Sequence, residues 1–154
     1  MKKLLAVIAA LFSGAAASAQ LNAKVVASPP YTLNVGKAAV FEFKSPKGML
    51  SVVFEDDGDT GYFYALDYSA TKQPIQEAMS IYDVHNVTDK DKPSVVRIAW
   101  SPDGMKAGLW INNYPHAVFD FTAKRGYCRT NFPPPGKWKS HNFSWSDDAL
   151  KFFQ

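Results

Sequence analysis

Short runs of apolar and polar residues, separated by turn-forming residues, recur along this chain and predict β-strands. The pattern is clearest from Ser94 to Phe121, where turns at Ser101 to Gly104 and around Asn112 separate three such runs. This spacing predicts a three-stranded antiparallel meander. Further short strands are predicted for the following segments: Leu21 to Ala27, Val40 to Lys44, Met49 to Glu55, Tyr62 to Leu66 and Met79 to Val84.

Two of these strands, Met49 to Glu55 and Tyr62 to Leu66, carry apolar residues on both faces. Strands of this kind are usually covered on both sides, as in a sandwich or in a sheet backed by a helix. Pro74 to Gln76 and the residues that follow also suit a helix, but we favour a strand from about Met79.

The C-terminal third has a different pattern. Lys124 to Lys139 contains Pro133 to Pro135, which impose an extended path without ladder hydrogen bonds, so we predict a long loop there. Ser146 precedes two aspartates and is predicted to cap a short helix through Phe153. The fold class is therefore mainly β, with α+β as the alternative: an antiparallel sheet or sandwich with a meander and a short C-terminal helix.

The first 19 residues have the pattern of a secretory signal peptide: two lysines, a short apolar run and an Ala17-Ser18-Ala19 cleavage site. The apolar run is shorter than the roughly 20 residues that a membrane helix needs. We expect cleavage before Gln20, no membrane anchor afterwards, a bacterial periplasmic or secreted location, and a single β-rich domain over residues 20–154.

Composition and net charge say little about which kind of molecule this protein binds. Of the 17 basic residues, Lys2 and Lys3 leave with the signal peptide, so 15 remain against 14 acidic residues. A nearly neutral domain of this kind gives no reason to expect nucleic acid as a partner. The eleven Phe, seven Tyr and four Trp supply a large core. Nothing in the sequence sets the oligomeric state.

The acidic turn, Glu55 to Asp59, is a candidate calcium loop because clustered carboxylates suit a hard cation. With Asp57 at position 1 of an EF-hand, however, position 6 is Tyr62 and position 12 is Tyr68, neither of which fits. We therefore interpret the segment as a hairpin turn, with Gly58 or Gly61 at positive φ, and predict no metal site and no cofactor.

Cys128, the single cysteine, is a candidate thiol nucleophile, and His85, His116 and His141 are the histidines that could serve it as a base. No cysteine-hydrolase motif surrounds it, and the histidines have no metal-ligand spacing. We interpret Cys128 as a small buried residue and assign no catalytic residues.

The basic and aromatic residues of Arg125 to Trp138 leave two interpretations open. In the first interpretation, these residues hold an anionic or sugar ligand. In the second, they form a loop over the sheet, and Arg125 and Arg129 pair with the acidic turn. The candidate ligand- or partner-binding residues are Asp56, Asp57, Asp59, Tyr62, Tyr64, His116, Arg125, Cys128, Arg129 and Trp138.

Four long motifs in one order resemble a bacterial family known only as a domain of unknown function. They are E-D-D-G-D-T-G-Y-F-Y-A-L-D (Glu55 to Asp67), I-Y-D-V-H-N-V-T-D (Ile81 to Asp89), W-S-P-D-G-M-K-A-G-L-W-I-N-N-Y-P-H-A-V-F-D-F (Trp100 to Phe121) and K-R-G-Y-C-R-T-N-F-P-P-P (Lys124 to Pro135). The resemblance implies no activity. It implies members with and without an export signal, which fits a binding module better than an enzyme of one compartment.

Small size, an export signal, no catalytic set and aromatic, charged loops favour a protein that binds another protein. The concrete hypothesis is a periplasmic inhibitor or immunity-type protein. The alternative is a small enzyme or ligand-binding domain with its site between the acidic turn and the Arg125 to Trp138 loop.

Overall fold

The computed structural model describes residues 22–130, 136–138 and 143–154. Ten strands occur in chain order: β1 (Val26–Ala27), β2 (Tyr31–Leu33), β3 (Ala39–Lys44), β4 (Leu50–Asp56), β5 (Thr60–Asp67), β6 (Ile75–Asp83), β7 (Ser94–Trp100), β8 (Lys106–Ile111), β9 (Tyr114–Asp120) and β10 (Arg125–Cys128). Short 3₁₀ helices span Val84–Asn86 and Asp147–Phe153. The predicted mainly β fold is confirmed.

The strands form two antiparallel sheets that pack as a sandwich. The four-stranded sheet has the order β3-β4-β5-β6, and the six-stranded sheet has the order β1-β7-β8-β9-β10 with β2 also paired to β7. The predicted meander is β7-β8-β9. Its second turn places Asn112 and Asn113 at φ 52° and 64°, as a two-residue hairpin turn requires. The β4–β5 hairpin lies at the centre of the four-stranded sheet, as predicted.

The core lies between the two sheets and is rich in aromatic rings. Phe63 of β5 and Phe119 of β9 stack across it with ring centroids 5.1 Å apart. Trp100 is fully buried on β7, and its indole N–H donates to the carbonyl of Phe43 on β3 at 3.0 Å. Buried rings of this size contribute most of the stabilising area, and the indole bond satisfies the one polar group that Trp100 brings into the core.

The sequence predicted that β4 and β5 are covered on both faces, but no described element covers their outer face. The C-terminal helix covers the six-stranded sheet instead. There the 3₁₀ helix Asp147–Phe153 buries Phe153 edge-on against Trp110 of β8, with ring centroids 5.2 Å apart. The outer face of the four-stranded sheet instead carries Val40, which is 62% exposed, and the half-buried Tyr62 and Tyr64.

Several predicted boundaries change. The helical alternative at Pro74 is wrong, because the segment is a strand that begins at Ile75. The first strand is limited to Val26–Ala27 among the described residues. The C-terminal helix is 3₁₀, with the Ala149 N–H bonded to the Ser146 carbonyl at 3.1 Å; Ser146 caps it through the Asp148 N–H as predicted.

The predicted loop from Lys124 is wrong over its first residues, because Arg125–Cys128 is strand β10. It pairs with β9, and it places Gly126 and Cys128 toward the core. The effect of the prolines does not extend this far back, and residues 131–135, which include them, lie outside the described chain. The predicted signal peptide also lies outside it.

Candidate functional site

The acidic turn is a hairpin connection, as the sequence predicted. The Asp57 carboxylate accepts the backbone N–H groups of Asp59 at 2.9 Å and Thr60 at 2.8 Å. These bonds lower the pKa of Asp57, because they stabilise the charged form. Gly58 has φ 101°, which confirms it as the residue at positive φ. The exposed tip is therefore held in shape by hydrogen bonds between the Asp57 side chain and the backbone of the turn itself.

Asp56 is buried beneath that tip, where it has a structural role. It is 1% exposed, and its two carboxylate oxygens accept three hydrogen bonds: from the N–H of Gly36 and the N–H of Gly58, both at 2.8 Å, and from the hydroxyl of Tyr82 at 2.7 Å. Asp56 thus ties the hairpin to the turn before β3 and to β6.

The second glycine of the turn, Gly61, provides space for this bond. A Cβ at Gly61 would lie within 2.5 Å of the Tyr82 ring, so the ring that reaches Asp56 occupies the position of a side chain. Asp59 contributes through its backbone, because its carbonyl accepts the N–H of Val84 at 2.8 Å. The E-D-D-G-D-T-G pattern is thereby explained as a folding element.

Tyr62 and Tyr64 lie beside each other on the outer face of β5, with ring centroids 5.8 Å apart. The Tyr64 hydroxyl donates to Glu55 at 2.9 Å. Partial burial and this bond raise the pKa of Tyr64, so its hydroxyl stays protonated at neutral pH.

Cys128 and Trp138 lie in the core. Cys128 is 1% exposed, and its sulfur lies 3.4 Å from the carbonyl oxygen of Ser80 and 3.0 Å from the Thr130 hydroxyl. The Trp138 ring is edge-on to Phe119, 5.6 Å between centroids. The interpretation of Cys128 as a buried residue agrees with this position.

Neither arginine contacts the acidic turn among the described residues, so the interpretation in which Arg125 and Arg129 pair with that turn is wrong. Arg125 lies over the ring of Tyr127 on its own strand, 4.3 Å from the centroid. Both side chains lie on the face of β10 opposite Cys128, because strand residues alternate between faces. That face belongs to the outer surface of the six-stranded sheet, away from the β4–β5 hairpin.

Arg129 instead lies between two aromatic rings. Its guanidinium carbon is 4.4 Å from the centroid of Tyr114 and 4.1 Å from that of Trp145. The Nε–H donates to the carbonyl of Pro115. Asp147 is the nearest described carboxylate, 4.0 Å from Nη2 and 84% exposed, so this ion pair is weak. The stack therefore fixes the orientation of Arg129 while leaving its charge largely unpaired within the described residues.

His116 adjoins the same stack. Its ring is perpendicular to that of Tyr114, with centroids 5.5 Å apart, and its carbonyl accepts the Arg129 N–H at 3.3 Å. Burial, and secondarily the charge of Arg129, lower the pKa of His116 to about 4, so the imidazole is neutral at neutral pH. We call Tyr114, His116, Arg129 and Trp145 the arginine–aromatic cluster.

The structure does not bring the ten candidate residues together in one place. Of the ten candidates, only His116 and Arg129 meet in the arginine–aromatic cluster. Sequence reasoning missed Tyr114 and Trp145, which complete it. The alternation in Tyr114-Pro115-His116 was a usable signal for one shared face, whereas nothing local links Trp145 to that strand.

Within the described residues, no group of three or more His, Cys, Asp or Glu side chains is arranged to hold a metal ion. No helix in the described part of the chain is long and apolar enough to cross a membrane.

Comparison with known proteins identifies a family whose members are described as uncharacterized. Residues 33–154 match the model of a family described as "Uncharacterized protein conserved in bacteria (DUF2251)". An uncharacterized protein of Haemophilus influenzae is 45% identical over 85 residues, which is 55% of this chain and 53% of that protein, so the match spans about half of the relative's length. No solved structure matches significantly. The chain belongs to this family of uncharacterized proteins conserved in bacteria.

Proposed function

We propose that this protein is exported and acts by binding another protein through the arginine–aromatic cluster. The observation that carries the proposal is the fixed guanidinium of Arg129. Both of its faces are covered by rings and its Nε–H is bonded, but the side chain remains 28% exposed. A guanidinium held in this way presents its Nη groups to a carboxylate on a partner.

The composition of the cluster fits a binding hot spot. Trp, Tyr and Arg are the residue types that dominate binding energy at protein interfaces. Tyr114 is 44% exposed, which is unusual for so large a side chain in this structure. Because the stack already orders Arg129, little side-chain entropy is lost on binding. The partner that fits is a protein with an acidic residue beside an apolar surface.

The finer form of the proposal is a periplasmic inhibitor or immunity-type protein. Support comes from the signal-peptide pattern of residues 1–19 and from the absence of a recognisable catalytic set in the sequence. Export is tested by fractionating the native bacterium and sequencing the protein's N-terminus. We expect Gln20 as the first residue in the periplasmic or extracellular fraction. Cytosolic protein that retains Met1 would refute export without bearing on the cluster.

The binding surface is tested by photo-crosslinking in the native bacterium. A benzophenone amino acid at Tyr114 should capture a discrete partner, whereas the same probe at Val40, which is 62% exposed on the other sheet, should not. With the purified partner, R129A should weaken binding by roughly 30-fold, the loss of about 2 kcal/mol typical of a hot spot. The control variant V40K, which adds a charge on the opposite sheet, should leave affinity unchanged. Equal capture from both positions, or full affinity of R129A, would contradict the proposal.

A further inference from the structure

A groove of about 580 Å³ lies between the base of the acidic hairpin and the end of β10. Its lining comes from β5, from β6 and the 3₁₀ turn that follows, and from the residues after β10. The side chains that matter here are Thr60, Tyr62, Ser80, Asp83, Asn86 and Thr130. The groove size is within the range of small-molecule sites, and two of its walls are strands of one sheet, which hold their side chains in fixed positions.

The hydrogen-bonding groups of this groove, which we call the β5–β6 groove, fall into two sets. Two hydroxyls are committed to the protein: Thr130 donates to the Ser80 carbonyl at 2.7 Å, and Tyr82 donates to Asp56. The hydroxyls of Thr60, Tyr62 and Ser80 and the amide of Asn86 have no hydrogen-bond partner among the described residues. Four donor–acceptor groups therefore remain available on one concave surface.

The charge of the groove limits the ligand. Of the described lining residues, only Asp83 is charged, and its carboxylate accepts the His85 N–H at 2.9 Å. Among the described residues, no lysine or arginine lines the groove, so an anionic ligand would meet a carboxylate there and no described cation. A neutral ligand rich in hydroxyl groups matches both the free hydrogen-bonding groups and the charge, and the half-buried Tyr62 ring offers an apolar surface for the C–H face of a sugar.

We propose that the β5–β6 groove binds a neutral carbohydrate of one or two sugar residues. The groove shares no residue with the arginine–aromatic cluster, so this site is independent of the proposed protein-binding surface. Of the two ligand classes that the sequence left open near Arg125 to Trp138, the groove favours the sugar over the anion.

The test is an NMR titration of the uniformly ¹⁵N-labelled mature protein with maltose and with N,N′-diacetylchitobiose, and with N-acetylneuraminic acid as the anionic comparator. We expect at least one neutral disaccharide to shift the backbone amide signals of Thr60, Tyr62, Ser80 and Asn86, with saturation in the millimolar range. The proposal would be overturned if neither disaccharide shifted these amide signals at concentrations up to about 20 mM. Any binding would then be weaker than a Kd of about 20 mM, which corresponds to a binding free energy of about −2.3 kcal/mol. Equal or tighter binding of the anionic sugar would overturn it as well.

Matched variants separate recognition from folding. Thr60→Val keeps the side-chain shape and removes the hydroxyl, whereas Thr60→Ser keeps the hydroxyl. Ser80→Ala and Asn86→Ala remove groups that make no side-chain hydrogen bond to the described protein, so they should fold normally. We expect T60V, S80A and N86A each to weaken sugar binding by about fivefold to tenfold, the value of one neutral hydrogen bond, and T60S and Y114A to retain it. Unchanged affinity in all three hydroxyl or amide deletions would contradict the assignment of the groove.

Discussion

Replacing Asp56 with alanine should destabilise the protein more than any other substitution in the acidic turn. The carboxylate is 1% exposed and accepts three hydrogen bonds, from Gly36, Gly58 and Tyr82. Hydrogen bonds to charged groups contribute roughly 1.5–3 kcal/mol each, and the three donors lose their acceptor together. Because water can reach some of the freed donors, we expect a total loss of about 4 kcal/mol, a large part of a typical stability of about 5–15 kcal/mol.

The assay is urea unfolding of the protein over residues 20–154 at pH 7, followed by far-UV circular dichroism and tryptophan fluorescence. Coincident transitions by the two probes would justify a two-state free energy. For a domain of this size, a loss of about 4 kcal/mol also corresponds to a decrease in Tm of about 12–16 °C.

Two neighbouring substitutions serve as matched controls. Tyr82→Phe removes one of the three donors to Asp56 and should cost about 1–2 kcal/mol. Asp57→Ala removes two hydrogen bonds to backbone N–H groups at the exposed tip, where water can replace them, so it should cost clearly less than D56A. If D56A were no more destabilising than D57A, the assignment of Asp56 as the bond between hairpin, turn and β6 would be wrong.

Three further outcomes are expected. Gly61→Ala should cost at least about 2 kcal/mol in the same unfolding assay, because the new Cβ displaces the Tyr82 ring. G48A is the control without a steric clash, since no atom lies within 4 Å of its new Cβ; its positive φ adds some backbone strain. The pKa of His116 is about 4 in the folded protein against 6.5 for the free side chain, so the unfolded state binds a proton that the folded state does not as pH falls between these values. The stability due to neutral His116 is complete above pH 6.5 and is lost on acidification toward pH 4, by at most about 3 kcal/mol. H116Q should lose correspondingly less stability between pH 7 and 4.5, measured by the same urea unfolding. Calcium or a chelator should leave the Tm unchanged, since a ligand of the folded state alone would raise it; a calcium-dependent increase would restore the metal interpretation of the acidic turn.

The strands were predictable where local signals agreed with each other. In β7-β8-β9, the alternation of apolar residues, Pro102-Asp103-Gly104 and the Asn112-Asn113 pair all indicate the same hairpins. The Asp57 turn was predictable for the same reason, because its hydrogen bonds join residues two and three positions apart.

The candidate site was not predictable, because its contacts join distant parts of the chain. Pairing of the arginines with the acidic turn was one of two interpretations of the sequence, and it rested on charge alone. In the structure, the packing of Arg129 between Tyr114 and Trp145 determines its position, and both rings are at least fifteen residues away from it in sequence. β10 was missed because the prolines that follow it dominated the interpretation of the whole segment, although Gly126 and Cys128 alternate with polar neighbours as strand residues do.

The pairing of the first two strands with β7 has a consequence for synthesis of the protein. Ser28, just after β1, bonds through its hydroxyl to the N–H of Ile98, 70 residues later in the chain. At about 5–20 residues per second, the N-terminal strands leave the ribosome about 4–14 s before their partner does. During that interval they are unpaired edges that favour intermolecular association, and the Pro29-Pro30 pair between them interrupts any longer strand they would offer to a second chain.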